Sequence, residues 1–417
     1  MTENIILPVG DNMENKARVA AMLKHDGKGR PLKSIENFVT ILQQDTVFAG
    51  LRFNSLTSAA EGAAGRWTDM DDALARRYIE NTYGLYNPQK LEDALAIVAG
   101  ANSYHPVKQL IEAVEWDGVD RVSFFLTKWL NCPDDVYTRQ VSQLIFAGGI
   151  HRLYNPGCKF DTVPVLIGVK QGEGKSTIVR WLALRDDFFS EVTEIEGQKG
   201  IESIEGSWIC EIAELLALTR AKEVEAVKSY ISKQTDKYRK PYERRVVEIP
   251  RQCIFIGTTN RRQFLTDKTG NRRFLPVKCQ SDGHSLYRRQ DRCKQYILQC
   301  WRQAKAMYDA GTLDAVPQPL LTDEIKQAQQ LAAEDDYREG MIREYLIDKN
   351  AICIIDIWEN ALGNPFTRPS KKESNDIGLI MQSMPEWIRA EKPMRFGKYG
   401  VQRAWLRKNF TEKPEKA

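Results

Sequence analysis

Residues 166–182 read "LIGVKQGEGKSTIVRWL", and the reading of this stretch decides the fold. A phosphate-binding loop works because successive backbone N–H groups at a helix N-terminus cradle phosphate oxygens. Its lysine adds charge at the β- and γ-phosphates, and its Ser or Thr hydroxyl reaches magnesium. Gly172, Glu173, Gly174, Lys175, Ser176 and Thr177 supply that loop. The spacing departs from the usual pattern, which places a Gly where this chain has Val169; Gly168 lies one residue early. We therefore expect Gly168 to supply the first turn, with Val169 outside the phosphate cradle and packed on the sheet. "TVPVLIG" before the loop suits a buried parallel strand, and "KSTIVRWLAL" after it reads as a helix.

At 417 residues the chain is long enough for two or three domains. It is 42% hydrophobic and 28% charged, as soluble globular chains are, and its net charge is only +4. Any nucleic-acid surface must therefore be local. No apolar run is long enough for a membrane helix. "MTENIILPVG" lacks the basic and apolar parts of a signal peptide, so a cytoplasmic location is expected. The eight Cys include no CxxC pair and several sit in apolar runs, which reads as reduced core thiols. The four His are scattered, which argues against a His metal cluster.

Working outward from the loop, the text divides into four parts. Residues 1–66 form an N-terminal segment of short helical and irregular text. Residues 67–157 read as a helical domain with no strand signal, opened by a cap at Thr68 or Asp69. Residues 158–315 alternate short apolar runs with helices, which predicts an α/β core with a central parallel sheet. Residues 316–417 form a C-terminal module; from 366 onward it carries twelve Lys/Arg against six Asp/Glu.

Three further blocks complete the loop's chemistry. A nucleotide hydrolase needs carboxylates at a neighbouring strand tip, to hold the metal shell and polarise water. "WICEIAEL" offers Glu211 and Glu214, with Glu211 the better candidate beside the metal. "QCIFIGTTN" ends in Asn260, a polar tip able to position water or sense the γ-phosphate. "KTGNRRFLPV" presents Arg272 and Arg273 on a turn, suited to transition-state charge at a neighbouring subunit. Between them, residues 233–251 hold seven Lys/Arg with interleaved tyrosines. Lys233, Lys237, Tyr238, Arg239, Lys240, Arg244 and Arg245 are the candidates there for phosphate contact and base stacking. A solvated basic loop is the plainer reading of that stretch.

With these blocks in order, the chain resembles the virulence-associated protein E family of phage and mobile-element proteins. The resemblance runs over about 100–280, through "HPVKQLIEAVEWDGVDRV", "PGCKFDTVPVLIGVKQGEGKST", "WICEIAEL", "TDKYRKPYERR", "PRQCIFIGTTN" and "LTDKTGNRRFLPV". It implies a P-loop NTPase (AAA+-like) core similar to superfamily three helicases. It also implies ATP and Mg2+ held by Lys175, Ser176 and Glu211, with Glu214 beside them. Asn260 would be a sensor, and Arg272 or Arg273 a finger. A hexameric ring would thread DNA, with Lys237 and Arg239 facing the channel. Val169 is the departure from the family pattern. The residues before the match show no paired-carboxylate pattern, so no primase activity is expected. The C-terminal text suits either a small winged-helix-like module binding DNA or a capping subdomain.

The expected function is a DNA-dependent ATPase, a ring-forming replicative helicase of a phage or mobile element. Its partners would be single-stranded or forked DNA and copies of itself, with no membrane. The alternative is an ATP-binding replication factor or regulator that does not unwind. A small-molecule P-loop kinase fits less well, because the chain offers a basic, aromatic-bearing segment in place of an acceptor pocket.

Overall fold

The computed structural model describes residues 13–168, 172–214, 221–238, 247–261, 271–281, 283–316, 322–332 and 337–408. Its centre is a five-stranded parallel sheet built from the short apolar runs. We number its strands β1 (Val163–Ile167), β2 (Phe189–Glu191), β3 (Ile209–Ala213), β4 (Ile254–Thr259) and β5 (Phe274–Lys278). Every residue of β1 and β4 is buried, as apolar runs covered on both faces should be. The order across the sheet is β5-β1-β4-β3-β2, with every pairing parallel. Pro276 lies on the edge strand β5, and β4 pairs with β1 only from Val165 onward, just past Pro164. Neither proline therefore removes a ladder donor from the middle of the sheet.

Helices Val136–Tyr154 and Gln290–Asp309 share one hydrophobic cluster with this sheet. Trp208 and Trp301 meet there with ring centroids 4.3 Å apart. Their indole N–H groups donate to the carbonyls of Gly149 and Leu182, at 3.1 and 2.9 Å, so both buried donors are satisfied.

A second cluster runs from Val19 to Ala99 and joins helices Ile35–Gln44, Asp69–Tyr83 and Pro88–Ala101. Thr68 caps the middle helix in a capping box with Asp71, and Gly84 ends it at φ 66°. The cluster therefore spans the division expected between residues 66 and 67. A four-stranded sheet accompanies it, whose last strand, Ser103–Tyr104, pairs in parallel with Arg52–Asn54. That strand lies inside the stretch read as purely helical. Two residues carry no alternation signal, and only the distant partner makes them a strand.

A separate compact unit begins at Gln329. It comprises helix Tyr337–Tyr345, strand Ala351–Cys353, a helical turn over 354–361, helix Lys371–Ser383 and strand Trp387–Arg389. The hairpin Met394–Phe396/Gly400–Gln402 and strand Ala404–Arg407 complete it. Its three-stranded sheet is antiparallel, with Ala404–Arg407 in the middle. Among the described residues, no helix is long and apolar enough to cross a membrane.

Candidate functional site

The loop after β1 is shaped by glycines at three places, for two reasons. Gly172 and Gly174 have φ of 87° and 80°, a left-handed conformation that side chains resist. Gly174 is the N-cap of helix Lys175–Leu182, and no side chain caps that end. Gly168 is different, because it is not among the positive-φ residues. A Cβ there would overlap Lys175 Nζ and Glu173 Oε2. Its role is space for the lysine, not the turn freedom expected from the sequence. Gly168→Ala is expected to leave the melting temperature little changed, because the Glu173 and Lys175 side-chain ends can shift, while moving Lys175 Nζ away from Asn260; thermal unfolding checks the first and a structure of the variant the second. Val169, whose placement outside the cradle was expected, lies outside the described residues.

Strand order brings the other blocks to the loop. β4 lies between β1 and β3, so Thr258 and Asn260 stand between Lys175 and Ser176 on one side and Glu211 and Glu214 on the other. Two hydrogen-bonded chains result. Ser176 Oγ and Thr258 Oγ1 both donate to Glu211 Oε1, each at 2.6 Å. Lys175 Nζ donates to Asn260 Oδ1 at 2.9 Å, and Asn260 Nδ2 donates to Glu214 Oε1 at 3.1 Å. Glu173 Oε2 lies 3.5 Å from Lys175 Nζ, with both side chains buried. Glu214 is a non-glycine residue at φ 48°, a strained backbone at the end of β3.

Glu211 is 2% exposed, and burial pushes its carboxyl above the ordinary carboxylate range; the Ser176 and Thr258 hydroxyls oppose that shift. Because the folded value is raised, both states are protonated at low pH and ionisation carries no cost there. The cost grows as pH rises through the folded value. Glu211→Gln should therefore raise the melting temperature more at pH 8 than at pH 4. An equal gain at both would contradict a strained buried carboxylate.

Thr177 faces away from Glu211, its Oγ1 lying 3.2 Å from the Tyr287 hydroxyl. Three loop neighbours escaped the sequence reading. Ser281 Oγ donates to the Glu173 carbonyl, Gly283 packs so closely that a Cβ would overlap the Gly172 carbonyl, and Tyr287 meets Thr177. The text around Ser281 and Gly283 carries no local sign that these two residues fold back more than a hundred residues onto the loop.

The arginine pair is not brought to this site. Phe274 pairs with Val163 and Lys278 with Ile167, so Arg272 and Arg273 precede β5 at the end of the sheet opposite the loop. Arg273 is held within the chain, its Nε 3.3 Å from Asp161 Oδ2 and 3.0 Å from Ser232 Oγ. Arg272 is exposed and has no hydrogen bond or ion pair among the described residues.

The basic segment forms the base of a hairpin, Thr235–Tyr238 against Val247–Pro250. Lys233 is exposed, Tyr238 pairs with Val247, and Lys237 makes an exposed 2.6 Å ion pair with Glu248. Arg239, Lys240, Arg244 and Arg245 lie outside the described residues. Arg251, one of the seven basic residues of this stretch, is buried rather than available to a ligand. Its Nε and Nη2 donate to Asp236 at 2.6 and 2.9 Å, and its guanidinium lies 4.6 Å from the Tyr230 ring centroid. Asp236→Ala would leave that charge unpaired, an expected loss of about 3–5 kcal/mol, measurable by denaturant unfolding.

The virulence-associated protein E-like domain matches residues 111–338. The chain belongs to that family. The family domain takes in the whole central sheet, the loop, both hydrogen-bonded chains and the basic hairpin. The Val19–Ala99 cluster lies outside it, as does nearly all of the unit that begins at Gln329. No curated protein matches the chain. Among solved structures, two apo forms of the NrS-1 C-terminal region align at 14% and 15% identity, with TM-scores of 0.41 and 0.42. Each alignment covers 72% of this chain and 78% of the other. A third apo structure of the same region aligns at 13% identity and TM-score 0.48, covering 86% of this chain and 95% of the other.

Proposed function

We propose that this member of the family is a DNA-dependent ATPase of superfamily three type, a ring-forming helicase that acts in replication of a phage or mobile element. The observation that carries this reading is the convergence of Lys175, Ser176, Glu211, Asn260 and Glu214 from separate elements into two neighbouring hydrogen-bonded chains. Their chemistry fits a magnesium nucleotide. Gly168 leaves room for Lys175, and the Ser176 hydroxyl and the Glu211 carboxyl supply the few protein oxygens that magnesium takes when phosphates complete its shell. Magnesium would neutralise charge on the β- and γ-phosphates.

Within that reading Lys175 binds the phosphates, and Ser176 and Glu211 hold the metal shell. Glu214 and Asn260 orient the attacking water, exchanging their mutual bond for one to it. Arg272 reaches a neighbouring copy's nucleotide, which a ring supplies. The basic stretch 233–251 carries single-stranded or forked DNA. The order helix, strand, helix, helix, strand, hairpin, strand supports reading the unit from Gln329 as winged-helix-like. The deciding experiment measures ATP turnover with and without single-stranded DNA, together with displacement of a labelled strand and solution mass with ATP and DNA. No stimulation by nucleic acid would sink the proposal. Stimulated turnover without displacement would leave a DNA-coupled regulator in place of a helicase.

A further inference from the structure

We propose that the unit from Gln329 reads base sequence in double-stranded DNA through the outer face of helix Lys371–Ser383. The inference rests on the winged-helix-like reading of that unit but not on ATP hydrolysis. Ile377, Ile380 and Met381 bury the inner face of the helix. Lys371, Asn375 and Gln382 are exposed, and with Gly378 they fall at spacings that stack them in one stripe. These are the side-chain types that pair with base edges in the major groove: amides with adenine, lysine with guanine. No acid lies on the stripe. Glu373 is turned to the helix start, where it accepts from the Ser370 backbone N–H at 2.7 Å.

Gly378 is a second, independent observation. Glycine in a helix interior is destabilising, and here nothing lies within 4 Å of where its Cβ would be. Internal packing does not ask for it. A smooth opening midway along a polar stripe suits close approach of a nucleic-acid groove.

Charge around the helix points the same way. Four acids of this unit are engaged internally: Glu359 with Lys398 at 2.7 Å, Asp356 with Tyr345 at 3.0 Å, Glu386 with Arg343 at 3.2 Å and Asp376 with Arg338 at 3.7 Å; Glu344, Asp348 and Glu391 are exposed and lie off the stripe. Arg368 before the stripe, and Arg389, Lys392, Arg395 and Arg403 after it, are exposed and pair with no acid among the described residues. Free cations on both flanks of a polar helix fit a duplex, with phosphates held at the sides and bases read between.

The test selects duplexes from a random double-stranded library with the full chain, without ATP, and sequences the bound fraction. A short motif is expected to be enriched. Lys371→Ala/Asn375→Ala/Gln382→Ala should lower preference for that motif over a shuffled duplex about tenfold or more. Gly378→Leu, which fills open space and favours helix, should fold normally and lose motif binding. Arg389→Ala/Arg395→Ala/Arg403→Ala should weaken motif and shuffled duplexes alike and lower the salt dependence, by about 0.9 in log–log slope for each phosphate no longer neutralised. No enriched motif, or enrichment kept by both the triple alanine and Gly378→Leu variants, overturns the proposal. An enriched motif in a protein without ATP turnover would sink the ATPase reading and leave this one standing.

Discussion

Arg272→Ala is expected to lower DNA-stimulated ATP turnover by about 10³-fold or more, the scale of a lost arginine finger. The two adjacent arginines are chemically alike, and their surroundings separate them. Arg273 is bound to Asp161 and Ser232 of its own chain. Arg272 is exposed, at the end of the sheet away from its own Lys175. Arg273→Ala should therefore act mainly on stability, by about 1 kcal/mol for a partly exposed pair. Mixing gives a sharper readout. On the proposed reading, Arg272→Ala subunits would keep an intact nucleotide site, and Lys175→Ala subunits an intact Arg272. Neither homogeneous preparation should turn over, but a mixture should recover activity. Failure to recover, in a mixture shown to assemble, would remove the finger from Arg272.

Lys175→Ala is expected to cost about 10²–10³ in turnover, as loss of one preorganised charge at a phosphoryl centre does. Lys175 is 7% exposed, so its charge acts with little screening by water. It also donates to Asn260, which in turn holds Glu214, so the substitution loosens the second hydrogen-bonded chain as well. DNA binding without nucleotide should survive, because the basic hairpin shares no described hydrogen bond with Lys175. Turnover near the wild-type rate in this variant would place the chemistry elsewhere.

Much of the site was legible because its parts are local. Gly172, Gly174, Lys175 and Ser176 are contiguous, and the strand before them announces itself as an apolar run. Asn260 follows the end of another such run and could be placed at a strand tip without knowing which strands touch; Glu211, expected at a tip, lies in the middle of β3, paired with Ile256 and Glu191. What could not be read was adjacency. That β4 lies between β1 and β3 is a property of the whole sheet, and it alone sets Thr258 and Asn260 between the loop and the carboxylates. The same limit hid Asp236 and Arg251, which read as parts of a charged surface stretch and are in fact a buried pair, Asp236 on the strand Thr235–Tyr238 and Arg251 just after its partner strand.

The amino-acid sequence by itself determined the loop, the polar strand tips, the α/β core and the family, because those follow from patterns within a few residues. Tertiary structure alone decided three other matters. Gly168 is needed for space beside Lys175 and not for a turn; Arg273 is held by Asp161 while Arg272 is exposed; Ser281 and Gly283 close over the loop. Each depends on atoms brought together by folding, and steric overlap and charge pairing act on distance in space, which spacing along the chain does not record.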